Sequence, residues 1–255
     1  MKVDYDVLLP LAIRAAENAS EEILKVYHSD DFQAEAKGDS SPLTLADRNA
    51  HKSIVSILQS SNLPILSEEG KAILYSERKK WEFFWMVDPL DGTKEFIKRN
   101  DEFTVNIALI HKGHPVLGVV AVPVTGDVYY AVEKRGATLK RKGKEMQLPR
   151  RAPVDMSRKG LRVVASRSHM NPETQDFIDK LTGAALVSAG SSLKFMLLAE
   201  NKADVYPRYA PTMEWDTAAA HAIVVETGLR VLEYGSERPL VYNKQNLLNP
   251  HFLVR

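Results

Sequence analysis

The sequence predicts a mixed α/β fold in two packed parts. Three observations carry this. Two amphipathic helices open the chain. A run of strands with tight turns follows in the first half. Strand and helix then alternate through the second half. Residues 4–28 set Leu8, Leu11, Ala15, Ala19, Ile23 and Val26 or Tyr27 at helical spacing, with Arg14, Glu17, Glu21 and Lys25 between them. Pro10 fits that helix only near its first turn. Residues 29–42 are polar, with Gly38, Asp39, Ser40, Ser41 and Pro42, and read as a mobile loop. A second helix runs from Thr44 to about Leu58, and Thr44-Leu-Ala-Asp47 fits a capping box in its acidic form. Pro64–Leu66 is a short buried strand ending at Ser67-Glu68-Glu69-Gly70. An aromatic strand from Phe83 to Asp88 is followed by strands at 103–110, 116–122 and 128–132. Gly113-His-Pro and Thr125-Gly-Asp punctuate this meander.

Residues 133–160 are basic and broken by Gly136, Gly143, Pro149 and Pro153, which marks a boundary between halves 1–150 and 151–255. Beyond it lie a strand at 161–165, a helix at 172–182, a strand at 185–188, a helix at 191–201 after Gly190, and a strand at 203–206. Helix 216–227 closes on Gly228, a good residue just past a helix end, and strands at 229–233 and 251–254 complete the chain.

Composition narrows the function. The chain has 255 residues, 44% hydrophobic and 26% charged, which suits one large domain or two small ones sharing an interface. A net charge of +1 supplies no field for a nucleic-acid polymer or an anionic membrane. Cysteine is absent, so disulfides, thiolate nucleophiles and Cys-ligated metals are excluded, and a reducing cytoplasm is expected. No signal-peptide h-region opens the chain, and no apolar run approaches the ~20 residues that span a bilayer.

The most informative run is Asp88-Pro-Leu-Asp-Gly-Thr93. An apolar strand seldom ends in two acids unless something positive sits there. Glu68, Glu69, Asp47 and Asp216 also stand at element ends, which gather at one edge of an α/β sheet. Converging carboxylates without zinc-type ligands select hard cations, Mg2+ first, then Mn2+ or Ca2+. Mg2+ shares its shell with phosphate oxygens, so a phosphate ester is the expected substrate. A helix starting near Gly92 would turn free amides of Gly92 and Thr93 towards that phosphate. Gly190-Ser-Ser-Leu-Lys194 repeats the pattern. Taken singly, Asp216 also reads as a helix N-cap, Asp47 as a capping-box acid, Glu68 and Glu69 as solvated turn residues, Arg208 as half of a surface ion pair, and His221 as a packed helix-face residue.

Asp88-Pro-Leu-Asp-Gly-Thr93 resembles the signature of the inositol monophosphatase superfamily of Mg2+-dependent, lithium-sensitive phosphatases. Trp215-Asp-Thr-Ala-Ala-Ala-His221 resembles its second signature, and Ser67-Glu68-Glu69 its upstream metal glutamate. Lys94-Glu-Phe-Ile-Lys-Arg-Asn, the run Glu102–Ile110, Ser166-Arg-Ser-His169, Gly190-Ser-Ser-Leu-Lys-Phe195, Tyr206-Pro-Arg208 and Leu247-Leu-Asn-Pro250 together resemble the CysQ-type branch, whose members are adenosine 3′,5′-bisphosphate phosphatases. The implied fold is a layered αβαβα sandwich of the inositol monophosphatase and fructose-1,6-bisphosphatase type.

The resemblance implies that Glu68, Asp88 and the Leu90 carbonyl hold one Mg2+, and Asp88, Asp91 and Asp216 a second. It allows a third at a flap formed by Lys37 and residues 38–42. Mn2+ would substitute, and Li+ and Ca2+ would inhibit. Asp47 and Thr93 would orient and deprotonate the attacking water, while Gly92 and Thr93 amides bind the transferred phosphoryl group. Lys194 and Arg208 would pair with the retained 5′-phosphate, Gly190 and Ser191 approach the nucleoside, and His169 meet the adenine. The implied reaction converts adenosine 3′,5′-bisphosphate to AMP, with 3′-phosphoadenylyl sulfate as a second substrate, and clears a by-product of sulfate assimilation. A monomer or homodimer is implied, in the cytoplasm or at the cytoplasmic face of the inner membrane. Two rivals remain. One is inositol monophosphate hydrolysis, against which Lys194 and Arg208 stand, because that substrate lacks a second phosphate. The other is a non-catalytic, metal-dependent scaffold, against which the full acid set stands.

Overall fold

A computed structural model describes residues 3–29, 35–36, 42–165 and 171–255. Helix α1 (Tyr5–Tyr27) is capped by Asp4, whose carboxylate accepts the Asp6 N–H at 2.9 Å. Pro10 lies inside α1, beyond the first turn where it was expected. The bond it cannot donate would have gone to the Asp6 carbonyl; both residues are exposed, so that oxygen is open to solvent. Strands β1 (Glu35–Ala36) and β2 (Pro42–Leu43) pair antiparallel within the segment expected to be a loop throughout. Helix α2 (Leu45–Leu58) starts from Thr44 with the expected capping box: the Asp47 carboxylate accepts the Thr44 N–H at 2.8 Å.

A seven-stranded sheet follows, built in chain order from β3 (Ile65–Ser67), β4 (Phe83–Asp91), β5 (Thr104–His111), β6 (His114–Val122), β7 (Asp127–Val132), β8 (Ala137–Arg141) and β9 (Lys144–Gln147). Only the β3–β4 pairing is parallel. Short helices α3 (Tyr75–Arg78) and α4 (Thr93–Ile97) flank β4. The β8–β9 hairpin occupies part of the basic stretch expected to be only a boundary. Lys142 and Gly143 both take positive φ, 51° and 74°, as a two-residue type I′ turn requires. Every residue of β9 is exposed, so the strand carries no apolar alternation to announce it.

The second half adds β10 (Arg162–Ala165), α5 (Pro172–Asp179), β11 (Ala185–Ser188), α6 (Leu193–Ala199), β12 (Tyr206–Arg208), α7 (Glu214–Glu226), β13 (Val231–Glu233) and β14 (Phe252–Val254). The strand expected at 203–206 enters its ladder only at Tyr206, pairing with β14; Val205 instead bridges to Val163 of β10 and so joins the β10–β11 pair to the sheet of β12, β14 and β13. Helix α7 starts two residues before the expected Asp216.

Alternate side chains of β4 separate two cores. Phe83, Trp85 and Val87 pack with Ala16, Ala50 and Ile54 of α1 and α2. Phe84 and Met86 pack with Ala219 and Ile223 of α7. Helix α5 covers the far sheet, with Ile178 against Val163 and Ala165. The layers therefore read helix, sheet, helix, sheet, helix. Gly118 on β6 fixes one spacing between them: a Cβ there would stand 2.2 Å from the Ala219 carbonyl oxygen, so α7 rests directly on the sheet backbone.

Candidate active site

Strand register delivers the acids. Ser67 pairs with Val87 across the parallel β3–β4 ladder, so Glu68 emerges beside Asp88. The β4–β5 register shifts between Asp88 and Asp91, which re-aims the strand end. Asp216 arrives from the opposite layer on the first turn of α7, where its carboxylate accepts the Met213 N–H at 2.8 Å. It is not the N-cap that a reading of the residue alone suggests; it reaches back from inside the helix to the cap. Carboxylate oxygens of Glu68, Asp88 and Asp216 lie within 4.8 Å of one another.

The electrostatics match a cation site. Burial pushes the Asp88 carboxyl well above the usual range, and Glu68, Asp91 and Asp216 push it further. Asp216 is raised well above that range too, first by burial and then by Asp91; the Met213 N–H counters this, and Arg208 is the smallest of the named influences. Four acids crowd one spot with little counter-charge, the situation a hard divalent ion resolves.

Asp47 is buried and serves two purposes. Oδ2 accepts from the Thr44 hydroxyl at 2.5 Å, while Oδ1 accepts the Thr93 hydroxyl at 3.2 Å. Thr93 Oγ1 also lies 3.3 Å from the Leu90 carbonyl oxygen. The Leu90 N–H donates to Asp88 Oδ1 at 3.1 Å, which pins the turn. Gly92 takes φ +95°, and a Cβ there would meet the Glu102 carbonyl oxygen at 3.1 Å. Helix α4 has only five residues, so its dipole adds little; its free amides are what it offers an anion.

A cleft of about 200 Å³ opens beside Asp91 and Asp216. Gly92, Ser191, Lys194 and Arg208 line it. Gly190 is buried beside it; a Cβ there would lie 2.9 Å from the Glu102 carbonyl oxygen, so only glycine lets residues 190–192 settle at this depth. Lys194 Nζ donates to the Ser191 carbonyl at 3.0 Å. Arg208 donates to the carbonyls of Ala210 and Pro211, rather than to a surface acid, and keeps its charge for the cleft. Lys94 and Glu95 also line the cleft; their motif was visible in the sequence, but a role for them was not. Thr104, Asn106 and Ser192, which bond around Asp91, were not foreseen. His169 lies outside the described residues, as do Lys37 and residues 38–41. His221 is buried, with Nδ1 2.9 Å from the Tyr242 hydroxyl, and plays the packed role expected of it.

Comparison with known proteins now decides the family. The inositol monophosphatase family profile matches residues 4–252. The chain belongs to the inositol monophosphatase family. Within that family it is 43% identical over 250 residues to the 3′(2′),5′-bisphosphate nucleotidase CysQ of Salmonella typhimurium, covering 97% of this chain and 99% of that one. It is likewise 43% identical over 251 residues to the enzyme of the same name from Escherichia coli K12, with the same coverage. The crystal structure of CysQ from Bacteroides thetaiotaomicron superposes with a TM-score of 0.86 at 48% identity, over 96% of each chain. The Thermotoga maritima IMPase, at 22% identity and a TM-score of 0.77 over 96% of this chain and 91% of its own, shares the family fold. The layered α/β architecture expected from the sequence is therefore the family's. No helix among the described residues is long and apolar enough to cross a membrane.

Proposed function

We propose that this protein is a Mg2+-dependent nucleotidase that hydrolyses the 3′-phosphate of adenosine 3′,5′-bisphosphate to AMP and phosphate, with 3′-phosphoadenylyl sulfate as a second substrate. The observation that carries this reading is the carboxylate trio of Glu68, Asp88 and Asp216 beside a cleft walled by Lys194 and Arg208. Near full-length similarity to nucleotidases supports it. Residues 1–150 supply the metal-binding half in this reading, and residues 151–255 most of the substrate half. The reaction belongs in the cytoplasm, clearing a by-product of sulfate assimilation; a chain without cysteine suits that compartment.

The oxygen donors fit hard divalent cations. Glu68, Asp88 and the Leu90 carbonyl would hold one Mg2+, and Asp88, Asp91 and Asp216 another, with Mn2+ as a substitute and Li+ and Ca2+ as inhibitors. When bound, such ions make water acidic enough to attack near neutral pH and stabilise charge on the entering and leaving oxygens. The chain's own residues do the rest. Thr93 takes a proton from the attacking water as its hydroxyl proton passes to Asp47 Oδ1 at 3.2 Å. Thr44 holds the other Asp47 oxygen, which fixes the carboxylate for that transfer. Amides of Gly92 and Thr93 bind the transferred phosphoryl oxygens. The new bond joins phosphorus to the water oxygen, the bond to the ribose 3′-oxygen breaks, and that oxygen leaves with a proton from solvent. Lys194 and Arg208 hold the 5′-phosphate, Gly190 and Ser191 the nucleoside, and His169 the base.

Phosphate release tests the reading. With Mg2+, adenosine 3′,5′-bisphosphate should turn over far faster than inositol 1-phosphate, and Li+ should suppress the reaction. Arg208→Ala should then lose roughly 10- to 100-fold in kcat/KM on the bisphosphate, the size of a lost charge-assisted hydrogen bond, and much less on a monophosphate. Equal rates on the two wild-type substrates, or equal losses in the variant, would overturn the nucleotide assignment.

A further inference from the structure

The structure assigns Ser192 and Asn106 as residues that position Asp91 and couple it to the substrate segment, so that cation and nucleotide binding reinforce one another. This rests on Asp91 being a metal ligand, as proposed above. Asp91 Oδ2 accepts from Ser191 Oγ at 2.5 Å, Ser192 Oγ at 3.0 Å and Asn106 Nδ2 at 3.4 Å. One carboxylate oxygen offers two lone pairs, so the two hydroxyls saturate Oδ2, the longer Asn106 contact adds to them, and Oδ1 is left for a cation. All the donors are neutral. A lysine or arginine in their place would cancel the charge a cation needs; hydroxyls and an amide orient the carboxylate and leave that charge intact.

The arrangement is built into the fold. Asn106 and Ser192 are each 1% exposed, and the Asn106 amide also donates to Ser192 Oγ at 3.0 Å. On β5, Asn106 stands directly opposite Asp88. Ser192 Oγ lies 2.9 Å from the Asp216 carbonyl oxygen, so its single proton is shared between two ligand-bearing elements. Ser191 adopts φ +48°, an uncommon conformation for a residue with a Cβ, and so brings its hydroxyl to Asp91 and to Thr104 Oγ1 at 2.6 Å. Segment 190–192 thus touches the substrate cleft with one side and a metal ligand with the other. A nucleotide hydroxyl that recruits Ser191 changes what Asp91 receives. Linkage makes the effect reciprocal: a cation on Asp91 Oδ1 biases the same hydroxyls.

The test uses the full chain with Mn2+ as the metal probe and AMP as the nucleotide probe. Ser192→Ala should weaken Mn2+ binding by roughly 10- to 100-fold in a free-Mn2+ EPR titration, the usual effect of losing a hydrogen bond behind a ligand. Its kcat should fall more than KM changes, and excess Mg2+ should recover part of the loss. AMP should tighten Mn2+ binding to the wild type, and tighten it less in Ser192→Ala, where Ser191 and Asn106 alone still reach Asp91. Mn2+ affinity within about twofold of wild type, in a variant that melts normally in EDTA, would overturn the positioning role. Should Ser192→Ala not fold, Asn106→Leu removes a donor from the same network at similar volume and is read the same way. If Mn2+ binding weakens while AMP has no effect on wild-type Mn2+ affinity, the coupling is overturned. Failure of AMP to bind at all counts against the nucleotide reading instead.

Discussion

Two buried aspartates in this chain have opposite surroundings. Asp88 is 2% exposed and faces Glu68, Asp91 and Asp216, so its carboxyl is pushed well above the usual range. Asp204 is 1% exposed and meets Arg151 at 3.1 Å, Arg158 at 2.9 Å and Arg162 at 2.9 Å, so its carboxyl is held below the usual range, chiefly by the Arg162 hydrogen bond. Both are conspicuous for burial. Only the missing counter-charge separates the candidate cation site from a clamp holding a fold together. Arg151 makes the structural role of the second plain, since it also donates to the carbonyls of Leu198 and Ala203.

The contrast can be broken by mutation. Asp88→Asn should lower turnover by roughly 10³-fold, because a catalytic cation contributes several kcal/mol. The metal-free protein should nevertheless become more stable. A carboxyl whose folded-state pKa is raised opposes folding above its unfolded pKa, and the amide removes that charge. Thermal melts in EDTA at pH 7 should rise by roughly 2–4 °C for each kcal/mol of repulsion relieved. A lower melt would show that Asp88 is a structural acid. Asp204→Asn should do the reverse, destabilising the fold by about 3 kcal/mol in urea titrations while each folded molecule keeps its activity. Loss of activity without loss of stability would place Asp204 in the chemistry.

His221 gives the smallest effect. Burial, with a lesser contribution from His114, lowers its pKa to about 3. Between that value and about 6.5 the unfolded chain takes a proton that the folded one refuses. The His221 contribution is therefore fully present above about pH 6.5 and is lost by about 1.4 kcal/mol for each unit between there and about 3. Comparing urea midpoints at pH 7 and pH 5 for wild type and His221→Phe isolates this slope, which should be shallower in the variant.

The long elements were legible in the sequence because burial writes a period into them. Helices α1 and α2 carry apolar residues at helical spacing, and β4 to β7 are nearly continuous apolar runs. The β8–β9 hairpin was not, because it is held by backbone pairing around Lys142-Gly143 rather than by buried side chains. The acids showed the same divide. Asp88 and Asp91 stood out as paired acids ending an apolar strand, while Glu68 and Asp216, which singly also read as a turn residue and a helix cap, gained meaning only beside them. Asn106 and Ser192 are ordinary polar residues until β5 and the segment before α6 bring them to one oxygen of Asp91. Local pattern reveals what is costly on its own; it is silent about what becomes meaningful only in company.

Gly118 has no side chain to offer, yet that bareness lets α7 lie close beside the candidate active site. Asp88 is anchored in the sheet and Asp216 on α7, and the gap between them is set by how closely that helix lies on β6. A methyl group at position 118 would act as a wedge under Ala219, one turn from Asp216, and open the jaws while leaving every proposed ligand in the chain. On the proposed reading, the gauge for the cations is thus an empty space, set where no chemistry happens.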